Sequence, residues 1–197
     1  MEVRTYPVGS YQTNCYIAWG EDSDKCILID PGYEPEYLLE QVRLLRKTPE
    51  AILLTHGHFD HVGGVKQIAQ ETGCKVYICP EELLIPPRFT AGEHYYTDTY
   101  SEGHTLNLAG LSLQVLKTPG HTQGSICLLC EDTLFSGDTL FAGTCGRTDL
   151  PGGDHKTILS SLRRLAQLEG DYRVLPGHGP CTTLNEERVE NPFLQLC

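Results

Sequence analysis

The sequence predicts an α+β fold, a sandwich of two β-sheets with helices on the outside. Short β-type runs alternate with glycine-bearing turns along all 197 residues. The order strands, helix, strands, helix occurs twice, as two similar halves would produce. No linker-like segment separates the halves, so residues 1–197 read as a single domain. A domain of this length buries about 70% of its unfolded surface and needs no staples.

The elements follow in order. Residues 15–19 and 26–29 form a hairpin pair around a polar stretch, and the second run ends at the turn signal Asp30-Pro31-Gly32. Leu38, Val42 and Leu45 give residues 35–46 a helical spacing. Residues 51–54 are a short buried strand. In residues 62–72, Val65, Ile68 and Ala69 share one helical face, with Gly73 as the stop. Residues 76–78 are the next strand. Residues 80–106 have no clear period and carry Pro86, Pro87, three tyrosines and two histidines, which predicts a partly ordered excursion over a site. Leu111, Leu113 and Val115 alternate with Ser112 and Gln114 as a half-buried strand. Residues 126–130 and 133–136 make a second hairpin with Glu131-Asp132 at its turn. Ile158, Leu162 and Leu165 align on a helix over 157–168, and Val174-Leu175 is the last short strand.

Composition excludes several classes of function. Fifteen Lys and Arg against 26 Asp and Glu leave a net charge of −11, which repels nucleic acid. The longest apolar runs, such as residues 126–130, are far short of the ~20 residues of a membrane span. The first six residues carry no secretory pattern, so the expected location is cytoplasmic. Nine cysteines are odd in number and scattered. Cys127 and Cys130 form a C-x-x-C pair within a strand, where positions three apart face opposite sides, so buried free thiols are expected rather than a redox pair.

The chemistry is concentrated at strand ends. His56, His58, Asp60 and His61 leave a buried strand within six residues. A tight strand-to-helix turn aims all four into one concavity, and imidazole with carboxylate suits zinc or iron. His121 after Thr118-Pro119-Gly120, Asp138 after Ser136-Gly137 and His178 after Pro176-Gly177 repeat the same setting. Singly, each reads as a turn histidine or a capping aspartate. Beside the first cluster, they predict a shared site. Seven ligands exceed the four of a tetrahedral metal and suit two metals if one carboxylate bridges. Two cations about 3.5–4 Å apart hold a hydroxide, polarise a carbonyl and accept a leaving group. None of the seven is cysteine, which disfavours a purely structural zinc. The expected chemistry is metal-assisted hydrolysis.

The H-x-H-x-D-H motif with His121, Asp138 and His178 resembles the metallo-β-lactamase superfamily over nearly the whole chain. Ser136-Gly137-Asp138-Thr139-Leu140-Phe141 and Thr118-Pro119-Gly120-His121-Thr122 resemble its glyoxalase II branch. The run Cys145-Gly146-Arg147-Thr148-Asp149-Leu150-Pro151-Gly152-Gly153-Asp154 resembles short bacterial hydrolases of that branch. The resemblance implies an αββα sandwich, two mixed sheets flanked by helices, with metals at the edge of the sheets. It implies that His56, His58 and His121 hold one metal, that Asp60, His61 and His178 hold the second, and that Asp138 bridges them. The implied cofactors are two divalent ions, zinc first, with iron or manganese as alternatives. The implied activity is thioester hydrolysis of the hydroxyacylglutathione hydrolase type, cleaving S-lactoylglutathione or a related thiol ester. A metal lowers the pKa of its water to about 7, and Asp60 would orient that metal-bound hydroxide. A thiolate of pKa about 8.5 leaves without a separate general acid.

This chain departs from glyoxalase II proper, which carries a further C-terminal helical segment with basic residues for the glutathione carboxylate. Here 19 residues follow His178. Arg147 and Asp149 stand where that enzyme has Lys and Tyr. Arg147 either clamps a substrate carboxylate or pairs with Asp149 or Asp154. The alternative enzyme class is a mononuclear Fe(II) persulfide dioxygenase using His56, His121 and Asp138. The complete second-metal set favours the hydrolase. Asp138 and the lack of an export signal disfavour β-lactamase activity, the acidic charge disfavours a nuclease, and seven retained ligands disfavour a non-catalytic binding module. His94, His104 and His155 read as surface histidines, Tyr95, Tyr96 and Tyr100 as loop packing, and Asp154 as a helix N-terminal residue.

Overall fold

The computed structural model describes residues 1–196. Strands β1 (Glu2–Val8), β2 (Thr13–Trp19) and β3 (Lys25–Ile29) form an antiparallel meander. β1 lies outside the sequence expectation because most of its side chains are partly or fully exposed and give no apolar signal, yet it pairs without a break from Glu2↔Trp19 to Val8↔Thr13. Helix α1 (Pro35–Leu44) crosses over, so that β4 (Thr48–Leu53) runs parallel to β3. α1 stops short of residue 46 because Arg46 takes a left-handed φ of 56°.

The helix expected over 62–72 is two pieces, α2 (Phe59–Val62) and α3 (Val65–Thr72). Gly63 and Gly64 separate them, packed on the Asp30-Pro31-Gly32 turn. A Cβ on Gly63 would lie 2.3 Å from the Gly32 carbonyl, and the Gly64 N–H donates to the Pro31 carbonyl at 2.9 Å. Strand β5 (Lys75–Ile78) then joins parallel to β4.

Residues 80–106 are more ordered than their composition predicts. Two short 3₁₀ turns, Pro80–Leu84 and Pro87–Phe89, lead to β6 (Asp98–Thr99), which completes the first sheet in the order β1-β2-β3-β4-β5-β6. Tyr100 is buried, donates its hydroxyl to the Leu54 carbonyl and stacks on Tyr77, so it packs the loop rather than lining a mouth. His94 departs from its expected surface position. Its two ring nitrogens are buried, and the ring covers Gly57, where a Cβ would approach it to 2.5 Å. His104 and His155 are exposed as expected.

The second sheet begins with β7 (Thr105–Leu108), β8 (Leu111–Lys117), β9 (Ile126–Cys130) and β10 (Thr133–Gly137), an antiparallel series. A small hairpin, β11 (Leu140–Phe141) and β12 (Thr144–Cys145), precedes α4 (His155–Ala166). Asp154 caps α4, accepting from the Thr157 N–H at 2.7 Å. β13 (Arg173–Pro176) runs parallel to β10, and β14 (Thr182–Thr183) lies beyond it, giving the order β14-β13-β10-β9-β8-β7. Helices α5 (Leu184–Glu190) and α6 (Pro192–Gln195) end the described chain, α5 behind a capping box of Thr183 and Glu186.

Packing explains the layering. Tyr16, Ala18, Ile27, Ile29 and Leu53 of the first sheet share one core with Leu113, Val115, Leu128 and Phe135 of the second. The opposite face of the first sheet, with Ile17, Leu28 and Ile52, packs on α1 and α3 through Leu38, Val42 and Ile68. The outer face of the second sheet packs on Ile158, Leu162 and Leu165 of α4. Central strands buried on both faces read as continuous apolar runs, which is why β2 and β9 were legible. The result is helices, sheet, sheet, helices. No helix among the described residues is long and apolar enough to cross a membrane. Cys15, Cys26, Cys74, Cys79, Cys127 and Cys130 are buried free thiols, Cys145 is half-buried and Cys181 is exposed; Cys197 lies outside the described residues. Burial pushes the Cys26 and Cys79 thiols up to about 12, so they stay protonated.

Candidate metal centre

The site is built where strand ends open into loops. Past β4, the Thr55 N–H and hydroxyl donate to the Asp30 carboxylate at 2.8 and 2.5 Å, which ties this end of the chain to the β3 turn. His56 and His58 follow, and the single turn of α2 presents Asp60 and His61. His121 comes from the turn after β8. That turn requires Gly120, at φ +135°, because a Cβ there would meet the Ile158 N–H at 2.3 Å. Asp138 follows β10 and His178 follows β13.

The structure brings all seven expected residues together. His58 Nδ1 lies 2.9 Å from His121 Nε2, and His61 Nε2 lies 3.3 Å from His178 Nε2. Asp60 Oδ2 is 3.2 Å from His178 Nε2 and 3.7 Å from His61 Nε2. Asp138 stands between the two groups, its Oδ1 3.4 Å from His61 and its Oδ2 3.5 Å from His121 and 3.6 Å from His178. The potential ligand atoms of His56, His58 and His121 lie within 4.8 Å of one another, as do those of Asp60, His61 and His178.

The outward ring nitrogens are held from behind. His61 Nδ1 pairs with Asp30 at 3.0 Å, and His121 Nδ1 donates to the Arg147 carbonyl at 2.8 Å. His178 Nδ1 donates to the Tyr11 carbonyl at 3.1 Å, and His56 Nδ1 lies 3.1 Å from the Thr55 hydroxyl. Such partners fix the tautomer and leave the inward nitrogen free to ligate. His56 Nε2, His58 Nε2 and Asp138 Oδ1 are buried without a hydrogen-bond partner. Orphaned polar atoms are costly unless something else satisfies them, and a divalent ion fits this donor set. Asp30 also lies near His56 and His61. Thr55 and His61 already occupy its oxygens, so it orients ligands.

Electrostatics agree with this arrangement. Burial and the neighbouring histidines hold His56 well below the ordinary histidine range, and burial with His121 lowers His58 to about 4. Burial also lowers His61, but Asp138 and Asp30 outweigh it and hold that imidazole well above its usual value. Burial likewise opposes His178, whose pairing with Asp60 raises it. Burial disfavours charge on Asp138, yet His61, His121 and His178 hold its carboxyl far down. In the metal-free site His61 and His178 therefore keep their protons to higher pH than free imidazoles do. Loading metal-free protein in weak buffer near pH 7 is expected to release about one to two protons per chain, with metal affinity falling as pH drops. An indicator-dye titration checks this, and binding without proton release would refute the ligand assignment.

Glu82 is a part of the site that sequence reasoning missed. Its Oε1 accepts from the Gly124 N–H and the Thr122 hydroxyl, both at 2.7 Å, and its Oε2 accepts from the Gly57 N–H at 2.5 Å. One buried carboxylate thus ties the His56–His58 loop to the His121 loop. Burial pushes it up to about 7 against the pull of these donors. Asp30 was also missed as more than a turn residue. Arg147 makes one of the two contacts the sequence left open, an ion pair, Nε and Nη2 donating to Asp149 at 2.7 and 2.6 Å, with Asp154 instead capping α4.

A family model of the metallo-beta-lactamase superfamily matches residues 8–178. The chain belongs to this superfamily. It is 36% identical to hydroxyacylglutathione hydrolase GloC of Haemophilus influenzae, over 98% of each chain. The crystal structure of BLEG-1 B3 metallo-beta-lactamase is similar at a TM-score of 0.91, with 34% identity over 98% of this chain and 99% of that one. TTHA1623 in a di-iron-bound form is similar at a TM-score of 0.87, with 38% identity over 97% of this chain and all of that one. This member of the metallo-beta-lactamase superfamily thus joins its fold to His and Asp metal-binding groups.

Close packing at Gly177 gives this superfamily member a second prediction. A Cβ there would lie 2.2 Å from Asp138 Oδ1 and 2.7 Å from His61 Cε1. Gly177→Ala is expected to fold but to displace Asp138, lowering bound metal to about half or less, as overpacking moves side chains off their positions. Elemental analysis beside far-UV circular dichroism tests this; unchanged metal content would show that Asp138 tolerates the shift.

Proposed function

We propose that the protein is a binuclear metal-dependent thioesterase of the hydroxyacylglutathione hydrolase type, acting on S-lactoylglutathione or a related small-molecule thiol ester. The supporting observation is Asp138, one carboxylate within 3.6 Å of histidines from both groups. His56, His58 and His121 would hold one divalent ion, Asp60, His61 and His178 the other, and Asp138 both. Zinc suits this nitrogen and oxygen set, as do iron and manganese. When bound, such a pair lowers the pKa of water toward about 7 and polarises a carbonyl.

The chain's own residues supply orientation. Asp60 Oδ2 accepts from the buried Thr13 hydroxyl at 3.3 Å and faces His178. It is fixed to orient an attacking water and receive its proton at Oδ2. A thiolate leaves at its ordinary pKa of about 8.5 without a general acid. A mononuclear dioxygenase would use His56, His121 and Asp138 and leave the Asp60–His61–His178 group without a role, so the hydrolase is preferred. Residues 1–197 form one hydrolase domain in this reading, and the six buried free thiols suit a reducing cytoplasm.

Thiol release from S-lactoylglutathione, with metal quantified on the same sample, tests the proposal. Rapid release with about two metals per chain is the expected result. No release with about one iron per chain would transfer the assignment to a persulfide dioxygenase. No release with two metals would keep the hydrolase and reject this substrate.

A further inference from the structure

A cavity of about 550 Å³ with apolar walls opens over the metal site, lined by five of its seven residues, His58, Asp60, His121, Asp138 and His178. Tyr11 and Phe59 meet edge to face at 5.3 Å, and Phe141 stands edge-on to the His178 ring at 6.2 Å. Phe89, from the second 3₁₀ turn, and Leu150 continue the wall. Arg147 is the one Lys or Arg among the described lining residues, and its exposed guanidinium donates two hydrogen bonds to Asp149. Arg88 is not part of the lining; it lies over the Phe89 ring at 4.8 Å.

The consequence concerns which substrate arm fits. A carboxylate entering here meets aromatic edges and a guanidinium whose charge Asp149 partly offsets, so its desolvation is poorly compensated. An alkyl or aryl arm gains with every methylene it removes from water. The geometry points to thioesters with an apolar arm of medium length, and with no carboxylate bound at the mouth, as the substrate class of this site. This inference rests on the thioesterase reading and narrows it away from recognition of glutathione's carboxylates.

The test compares acetyl, butanoyl and hexanoyl thioesters of glutathione with the same esters of N-acetylcysteamine, a neutral thiol, using metal-loaded protein. kcat/KM is expected to rise about threefold per methylene, with loss of the glutathione charges costing less than about threefold. Phe89→Ser is expected to lower the hexanoyl-to-acetyl ratio about tenfold. A flat length dependence, or a loss above about thirtyfold on the neutral thiol, would overturn the inference. If no thioester is cleaved, the thioesterase reading itself fails. Calorimetry with S-hexylglutathione and S-methylglutathione then decides the apolar arm separately. Binding tighter by about threefold per methylene, over a hundredfold for the hexyl compound, supports it, and equal binding overturns it.

Discussion

Asp138→Asn is expected to reduce bound metal from about two ions per chain to one or fewer and to lower kcat/KM at least about a hundredfold, beyond the loss typical of groups behind the ligands. The amide keeps the shape of the carboxylate but removes the charge that faces His61, His121 and His178 together. Its Oδ1 side also has no hydrogen-bond partner in the protein, so nothing else in the chain substitutes for the lost ligation. Elemental analysis and thiol release on one preparation check both effects. Full activity with two ions retained would remove Asp138 from the bridging position.

Glu82→Ala should be the most destabilising single change near the site. It leaves the buried Gly57 and Gly124 N–H groups unsatisfied, at about 1–3 kcal/mol each. The resulting fall in Tm is about 4–24 °C for a chain of this size. The Thr122 hydroxyl retains Ser125 and adds little to the loss. Glu82→Gln keeps an acceptor but places an amide N–H against one donor, so it should fall between wild type and alanine. The two proteins should also differ in pH response. The folded carboxyl, pushed up to about 7, holds a proton that the unfolded chain releases near its ordinary value of about 4.3. The folded state therefore binds more protons between these values, and this contribution to stability falls as pH rises through that window. Glu82→Gln removes the contribution. Parallel denaturant titrations at pH 5 and pH 7.5 measure the difference, and an identical pH response in both proteins would show that Glu82 does not titrate there.

Much of the fold was readable because its signals are local. β2, β9 and α4 carry apolar residues at the spacings that their burial demands. β1 and β6 carry few such residues, since edge strands rely on pairing with a neighbour for their existence. The break between α2 and α3 was hidden for a different reason. It is caused by backbone from residues 31 and 32 packing on Gly63 and Gly64, a contact that no window around residue 63 contains.

The same division runs through the site. The sequence by itself determined the donor set, because imidazole and carboxylate at glycine turns after strands carry their chemistry in residue type and spacing. It also left Arg147 with two roles, since a cation beside acids reads equally as clamp or ion pair. The tertiary structure decided that Arg147 is paired, that Asp30 and Glu82 hold the ligand loops, and that Tyr11, Phe59, Phe89 and Phe141 wall the mouth. The Arg147 pair is local, two residues apart, whereas the Asp30 and Glu82 contacts and the aromatic wall depend on groups brought together across tens of residues by sheet packing. The donors that Glu82 binds lie 25 and 40 or more positions away, and the free energy of satisfying a buried carboxylate is defined only once the surrounding layers have excluded water.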